Sequence, residues 1–414
     1  MRRTTVSTFL ALAVGGLAWP TSLLETNSIP ALAKRDVPMC GPSTGVSCGM
    51  NVCCSGSGYC GTTSAHCNSC QSGYGSCAVP TPKKCGKTSG TANGRTVGYY
   101  RGASGTGRTC HVVQPSNIDT SKFTHLNYAF AVFDSGFNVV PQDSADVALY
   151  TKFTALKSSK LETWIAIGGG GSTTPWSSMV ATSANRAKFI TSLKAFLVKY
   201  GFQGVDLDWE VPLNTADKVG YTSLAKELRA SFGTTYKISM AFPVDYGDMF
   251  YVDAKGMEPY LDWIGYMSYD IKNPDGTVAG HTDIVKVEDK ALPFWFSGIP
   301  PAKLNLGLAS YGHGYTLAST NCRVANCAAT GVSAPGTCIP DPTGVMSLFD
   351  IKDIIAAKSL NPALVSAGMY KYIAFNNGQW IGYDDAETVA LKKGWANDFC
   401  FGGTMQWAID LGSF

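Results

Sequence analysis

Seven consecutive residues constrain this chain more than any other stretch: Gly204-Val205-Asp206-Leu207-Asp208-Trp209-Glu210. Apolar side chains at Val205, Leu207 and Trp209 alternate with carboxylates at Asp206, Asp208 and Glu210, so a β-strand here sends all three acids to one face. Neighbouring acids on that face are roughly 6.5–7 Å apart. The half-buried strand of an antiparallel sheet, with its acids in water, shows the same alternation. The flanks favour another setting. Asn185 to Tyr200 has helix spacing through Phe189, Ile190, Leu193, Phe196 and Leu197 and is followed by Gly201; Thr222 to Phe232 has it again through Leu224, Leu228 and Phe232. A strand between two helices belongs to a βαβ series whose outer face is covered by helices, which leaves the acids pointing inward. Three carboxylates in such a place cannot all ionise cheaply. Like charges and burial both raise a pKa, which keeps one carboxylic acid protonated near neutral pH.

From Arg95 onward the chain is long enough for one α/β barrel with an insertion. Apolar, strand-like runs recur between helical patterns at Thr96–Tyr100, His125–Phe130, Thr163–Ile167, Gly204–Glu210, Lys237–Phe242, Trp263–Asp270, Leu304–Ser310 and Gly403–Ile409. Eight such runs in βα order predict a (β/α)8 barrel with its functional residues at the C-terminal strand ends. An open, doubly wound sheet is the alternative. The stretch from Tyr311 to Gly402 is too long for a single βα connection. It holds Cys322, Cys327 and Cys338, an aromatic segment Met369–Tyr383 and a helical pattern from Ala386 to Trp395, and predicts a small α+β insertion at about 312–385 that walls one side of a cleft.

The N-terminus carries Arg2 and Arg3 before an apolar run from Phe9 to Trp19, the form of a secretory signal peptide spanning residues 1–19; a buried N-terminal helix is the competing reading. Dibasic Lys34-Arg35 offers a second processing point at residue 35. The run is too short to span a membrane, and no later stretch reaches about 20 apolar residues. A secreted, extracellular protein is therefore expected, and its 14 cysteines are expected to form disulfides. Eight of them (Cys40, Cys48, Cys53, Cys54, Cys60, Cys67, Cys70 and Cys77) crowd a Gly/Ser-rich stretch too poor in apolar residues for a core, which predicts a bridge-held module at 40–77. Residues 78–94 read as a linker, with Cys85 tied to the following domain and Cys110 its candidate partner. A net charge of +3 without Lys/Arg runs gives no sign of nucleic acid or anionic lipid as partner. The five histidines are scattered, with no metal-ligand spacing and no cofactor motif, and no Asn-x-Ser/Thr acceptor occurs. A monomer is the expected state.

Two resemblances extend this reading. The adjacent Cys53-Cys54 pair followed by Ser55-Gly56-Ser57-Gly58-Tyr59-Cys60-Gly61 resembles the hevein-like chitin-binding module. That resemblance implies the pairs Cys40–Cys54, Cys48–Cys60, Cys53–Cys67 and Cys70–Cys77. It also implies a sugar site of Ser55 with three ring positions, which here hold Ser57, Tyr59 and His66, so only one is a full aromatic platform. Residues 95–414 resemble the glycoside hydrolase family 18 chitinases of the fungal type. Their Asp-Gly-x-Asp-x-Asp-x-Glu signature is here Gln203-Gly204-Val205-Asp206-Leu207-Asp208-Trp209-Glu210, supported by Gly98-Tyr99-Tyr100, Met267-Ser268-Tyr269-Asp270, Gly307-Leu308 with Tyr311, and Gly402-Gly403 with Met405, Trp407 and Asp410.

The resemblance implies a retaining hydrolase acting on chitin and N-acetylglucosamine oligomers through the substrate's own acetamido group. Glu210 would be the proton donor, Asp208 the partner of the acetamido nitrogen sharing a proton with Asp206, Tyr269 the donor to the acetamido oxygen and Asp270 a hold on the distorted sugar. Trp407 would be the stacking floor, with Tyr99, Phe130, Met267, Tyr311 and Met405 completing the sugar-binding set. The structural alternatives are an ordinary tyrosine–carboxylate hydrogen bond for Tyr269 and Asp270, and core packing for Trp407. Two positions depart from the family pattern. Ala166 stands where a serine commonly helps the buried aspartate, which leaves Asp206 leaning on Tyr99 and Asp208. Gln203 replaces the first acid and, by period two, faces away from the other three, as a structural residue would. A chitin lectin and an endo-β-N-acetylglucosaminidase acting on N-glycans are the alternative functions; the retained Glu210 argues against the first.

Overall fold

The computed structural model describes residues 37–273 and 275–414; the signal-peptide stretch 1–19 and Lys34-Arg35 lie outside the described residues. Eight parallel strands form the barrel: β1 (Arg95–Tyr100), β2 (His125–Phe133), β3 (Glu162–Gly168), β4 (Gly204–Asp208), β5 (Lys237–Phe242), β6 (Trp263–Tyr266), β7 (Leu304–Ala309) and β8 (Gly403–Trp407). Each pairs with its sequence neighbours, and β8 pairs with β1 to close the ring. The open-sheet alternative is thereby excluded. Four strands stop short of the sequence reading, β4 at Asp208 rather than Glu210, β6 at Tyr266 rather than Asp270, β7 at Ala309 rather than Ser310 and β8 at Trp407 rather than Ile409. For β4 the reason is pairing: Asp208 lies opposite Gly168, the last residue of β3, and beyond that point the ladder has no neighbour.

The helical flanks behave as their spacing predicts. Helix α1 (Ser183–Tyr200) is capped by the Thr182 side chain and ends at left-handed Gly201; α2 (Thr215–Phe232) is capped by Asn214 and starts seven residues before the expected Thr222. Helices α3 (Ile284–Ser297) and α4 (Ala386–Asp398) complete the longer outer elements used below. The outward side chains of β4 explain why it alternates. Val205 and Leu207 are fully buried under the helices, and Trp209 stacks on Trp176 at 5.4 Å. Burying each such side chain stabilises the barrel by about 1.5–3 kcal/mol.

Between β7 and α4 the chain builds an antiparallel sheet from 311–317, 329–332, 345–347, 363–365, 370–375 and 379–383, with a helix at Leu348–Lys358. This sheet occupies the segment expected as an insertion.

All 14 cysteines are paired. Cys40–Cys54, Cys48–Cys60, Cys53–Cys67 and Cys70–Cys77 hold the N-terminal module, in the pattern its resemblance implies. The expected Cys85–Cys110 link is not formed. Cys85 bonds Cys400, and Cys110 reaches into the inserted sheet to Cys338, while Cys322 bonds Cys327. The physical reason is that the chain from Lys84 onward lies along the end of α4: Cys85 N–H donates to the Asp398 carbonyl at 2.8 Å, and the Lys84 ammonium pairs with Asp398 and sits 3.1 Å over the Phe399 ring. Within 78–94, therefore, the part from Lys84 is fastened to the barrel.

The joint between β1 and β8 is tied at its other end as well. Asp410, just past β8 and fully buried, accepts the Arg101 backbone N–H at 3.1 Å and its Nε at 3.0 Å, and also the Arg108 guanidinium.

Candidate active site

Asp206 and Asp208 project from β4 into the barrel, and Glu210 follows at its mouth. Asp206 is fully buried and accepts two hydroxyls, Tyr99 at 2.8 Å from β1 and Ser239 at 2.6 Å from β5. Burial pushes its pKa up, and these two bonds pull it part of the way back. Ser239 is the residue that sequence reasoning missed. The barrel register sets it directly opposite Asp206, whereas Ala166 occupies the equivalent place on the other side of the acid. Ser239 therefore supplies from β5 the hydroxyl that β3 lacks. Its signal was present as a lone polar residue in the apolar run of β5.

Asp208 is held well above the usual carboxylate range by burial, then by the charges of Glu210 and Asp206. Its buried Oδ1 has no protein partner. The Glu210 carboxyl is pushed up to about 7 by burial and by the charges of Asp270 and Asp248, against a small opposing effect from the Gly170 N–H. The loop after β3 closes over these acids only because it is built of glycine. At Gly168, with φ of +110°, a Cβ would lie 2.2 Å from the Asp208 carbonyl oxygen, and Gly169 N–H donates to that same oxygen at 2.9 Å. Gln203 sits outside the site, its amide oxygen accepting the Thr163 N–H at 3.1 Å, which accounts for the neutral residue there.

Asp270 lies past the end of β6 in a left-handed conformation, with φ of +60°. Its Oδ1 accepts Tyr311 OH at 2.7 Å and contacts His313 Nε2 at 2.9 Å, while its backbone N–H donates to His281 Nδ1 at 3.2 Å. Desolvation pushes the carboxyl's pKa up, but its contacts with His281 and His313 outweigh this and hold the group ionised. Asp270, His281 and His313 could be mistaken for a metal site, since their ligand atoms lie within 4.8 Å of one another. Their orientation does not fit one. The two imidazoles stack at 4.4 Å with planes only 24° apart, so an ion in the plane of one ring lies off the plane of the other. His281 Nδ1 is moreover engaged by the Asp270 N–H, and its Nε2 donates to the Tyr311 carbonyl at 3.1 Å.

The remaining residues of the expected set line the same mouth. Trp407 meets Phe130 in a stacked pair at 5.4 Å and Tyr99 edge-on at 5.6 Å. Tyr269 packs edge-on to Tyr311 at 6.1 Å, and Met405, Met267 and Phe130 join the same apolar cluster, Met405 fully within it and the other two at its border. The tyrosine that bonds Asp270 is thus Tyr311, which leaves the Tyr269 hydroxyl for other work. The four module residues are elsewhere. Ser55 is buried in its hairpin, accepting the Tyr59 N–H at 3.0 Å and bonding Ser57, while Ser57 and Tyr59 are exposed and His66 bonds Thr63.

A closed parallel barrel with a column of carboxylates at the end of one strand, walled by aromatic rings, is the architecture of the barrel-fold class of glycoside hydrolases. The chain belongs to the glycosyl hydrolases family 18, whose pattern it matches over residues 95–412. It is 31% identical to mouse chitotriosidase-1 over 330 residues, covering 72% of this chain and 69% of that protein. It is 29% identical to a probable chitinase 10 of Drosophila melanogaster over 332 residues, 72% of this chain but 14% of that much longer protein. Among solved structures it is similar to human YKL-39, described as a pseudo-chitinase with retained chitooligosaccharide binding, at 25% identity and a TM-score of 0.69, over 77% of this chain and 93% of that one.

Proposed function

We propose that the protein is a secreted chitinase of fungal type that hydrolyses β-1,4-N-acetylglucosamine linkages with retention of configuration. The observation that carries this reading is the position of the Glu210 carboxyl at the barrel mouth, directly beyond Asp208, where burial and the charges of Asp270 and Asp248 push its pKa up to about 7. An acid with that proton affinity is half protonated at neutral pH and can protonate a leaving glycosidic oxygen. Retention ordinarily needs a second, ionised carboxylate as nucleophile. Here Asp206 and Asp208 both have their proton affinity raised by burial, which suits neither to attack. Membership of family 18 implies instead the substrate's own acetamido oxygen as nucleophile, giving an oxazolinium intermediate.

In this scheme the free Oδ1 of Asp208 receives the acetamido N–H, and the Tyr269 hydroxyl donates to the acetamido oxygen. Trp407 carries the apolar face of the sugar, and Asp270, kept ionised beside Tyr311 and His313, accepts its hydroxyls. Glu210, once deprotonated, activates the water that opens the oxazolinium ring. The N-terminal module would bind the same polymer through Ser57, Tyr59 and His66 around Ser55. Seven disulfides suit an oxidising, extracellular setting, and among the described residues no helix is long and apolar enough to cross a membrane.

The test is product release from N-acetylglucosamine oligomers by wild type and Glu210→Gln. Cleavage with retention that falls by about 10²-fold or more in the variant supports the proposal. If both proteins bind the oligomers and neither cleaves, the chain is a lectin, the state described for YKL-39.

A further inference from the structure

Like the β1–β2 connection, with its five-residue helix Gly102–Thr106, the connection from β5 to β6 has no long outer helix. Helices α1 and α2 have 18 residues each and α3 has 14, whereas this connection holds only two four-residue helices, Tyr246–Met249 and Ala254–Met257, and a turn at Glu258–Tyr260. Four-residue helices cover little apolar surface, so the flank between α2 and α3 needs another cover. The N-terminal module provides it. Its Gly49–Asn51 turn packs on α3 and on the 246–254 segment, with Met50 buried at 5% exposure. Gly49 lies so close to the Phe250 backbone that a Cβ would come 2.3 Å from the Phe250 carbonyl oxygen. Tyr246 OH donates to the Gly49 carbonyl at 3.2 Å, and Asn51 Nδ2 donates to the Phe296 carbonyl at 3.2 Å. The buried apolar cluster runs without a break from Cys48, Met50 and Val52 of the module into Val252, Ala254 and Phe296 of the barrel.

We infer that the module is seated on the barrel in place of the missing helix and so presents its glycan face at a fixed position on the catalytic body. The seat is made by the Gly49–Asn51 turn, which leaves Ser57 and Tyr59 exposed. The partner is an N-acetylglucosamine polymer long enough to touch both the module and the barrel mouth, and the inference rests on the glycan-hydrolase reading above. A seat of this kind removes the freedom of a tether. The second contact with a bound polymer then occurs at a set geometry and high effective concentration.

The test uses the full chain with one variant on each side of the seat, Met50→Ser and Tyr246→Ala, so that a folding defect in one does not decide the matter. Amide hydrogen exchange across 246–257 reads docking with no substrate present. It is expected to quicken by about tenfold or more in both variants, since the segment loses its cover. Both variants are expected to cleave the N-acetylglucosamine trimer as wild type does and to solubilise insoluble chitin several-fold more slowly. Tyr59→Ala should also lose on the insoluble polymer while leaving exchange at 246–257 as in wild type. Wild-type exchange in both seat variants, or full activity of both on the polymer, overturns the inference and makes the module a free appendage. Failure of the hydrolase reading looks different: wild type then leaves trimer and polymer intact, while the exchange data still report docking.

Discussion

Ser239 stands directly opposite Asp206 across the β4–β5 ladder and gives it a hydroxyl hydrogen bond of 2.6 Å. On the neighbouring β3 strand the equivalent position is Ala166, so the acid is served from the β5 side and by Tyr99 of β1. The hydroxyl an aspartate requires is fixed by distance, and either neighbouring strand can deliver it.

Ser239→Ala is expected to remove a bond that favours ionised Asp206, raising its pKa further. Where the ionised form is needed, the acid limb of the kcat profile moves to higher pH and the loss is greatest below neutrality. The double variant Ser239→Ala with Ala166→Ser should restore much of the profile, because the new hydroxyl arrives from the adjacent strand. The loss in the single variant should reach about 1–3 kcal/mol, the cost of an unsatisfied buried acceptor. A flat pH response of Ser239→Ala would count against the arrangement.

Asp270→Asn is expected to lower the pKa of Glu210, since the Asp270 charge is one of the causes that raise it. The alkaline limb of the rate profile, which Glu210 sets in this reading, should move to lower pH. Tyr311→Phe and His313→Asn keep the Asp270 carboxylate itself in place while removing contacts to it. They should raise KM about tenfold, as loss of a bond to a charged group does, without moving the alkaline limb. Profiles of all three variants on one soluble oligomer separate the two effects.

The same shift predicts a stability signature for Glu210. Its folded pKa of about 7 exceeds the ordinary value of 4.5, so the folded protein holds more protons between these pH values than the unfolded chain does. The contribution of this group is therefore fullest below the unfolded pKa and is lost as pH rises through 7. Glu210→Gln, which has no charge to desolvate, should gain on wild type by up to about 3 kcal/mol above pH 7 and by little at pH 4. Denaturant unfolding at the two pH values measures the difference.

Replacing Cys85 and Cys400 together by serine opens a bridge between residues 315 apart. The expected cost is about 2–5 kcal/mol of stability. Activity on soluble oligomers at low temperature should survive, since neither cysteine approaches the acid column. A melting curve beside a rate measurement checks both.

Much of this site could be read from the chain because alternation is local. Asp206, Asp208 and Glu210 announce their shared direction within five residues, and the eight strand starts follow from apolar runs bounded by helix signals. What could not be read depends on register and on distant contacts. Ser239 matters only once β4 and β5 are aligned residue against residue. His281 and His313 reach Asp270 from 11 and 43 residues further along, the second from the inserted sheet, and no spacing rule joins them. The partner of Cys85 was missed for the same reason: Cys110 was nearer in sequence, while Cys400 was nearer in space.

The joint between β1 and β8 has a wider consequence. In a ring of eight strands, seven neighbouring pairs are consecutive along the chain, and the eighth brings together elements from opposite ends of the domain, so it is the natural point of entry for thermal opening. This protein has fastened that one gap at both rims, with Asp410 gripping Arg101 and Arg108 at the mouth and Cys400 bonded to Cys85 at the base. Opening should therefore begin elsewhere, and the beginning and end of the domain should come apart last. That ordering keeps both ends of the domain held until the whole ring gives way.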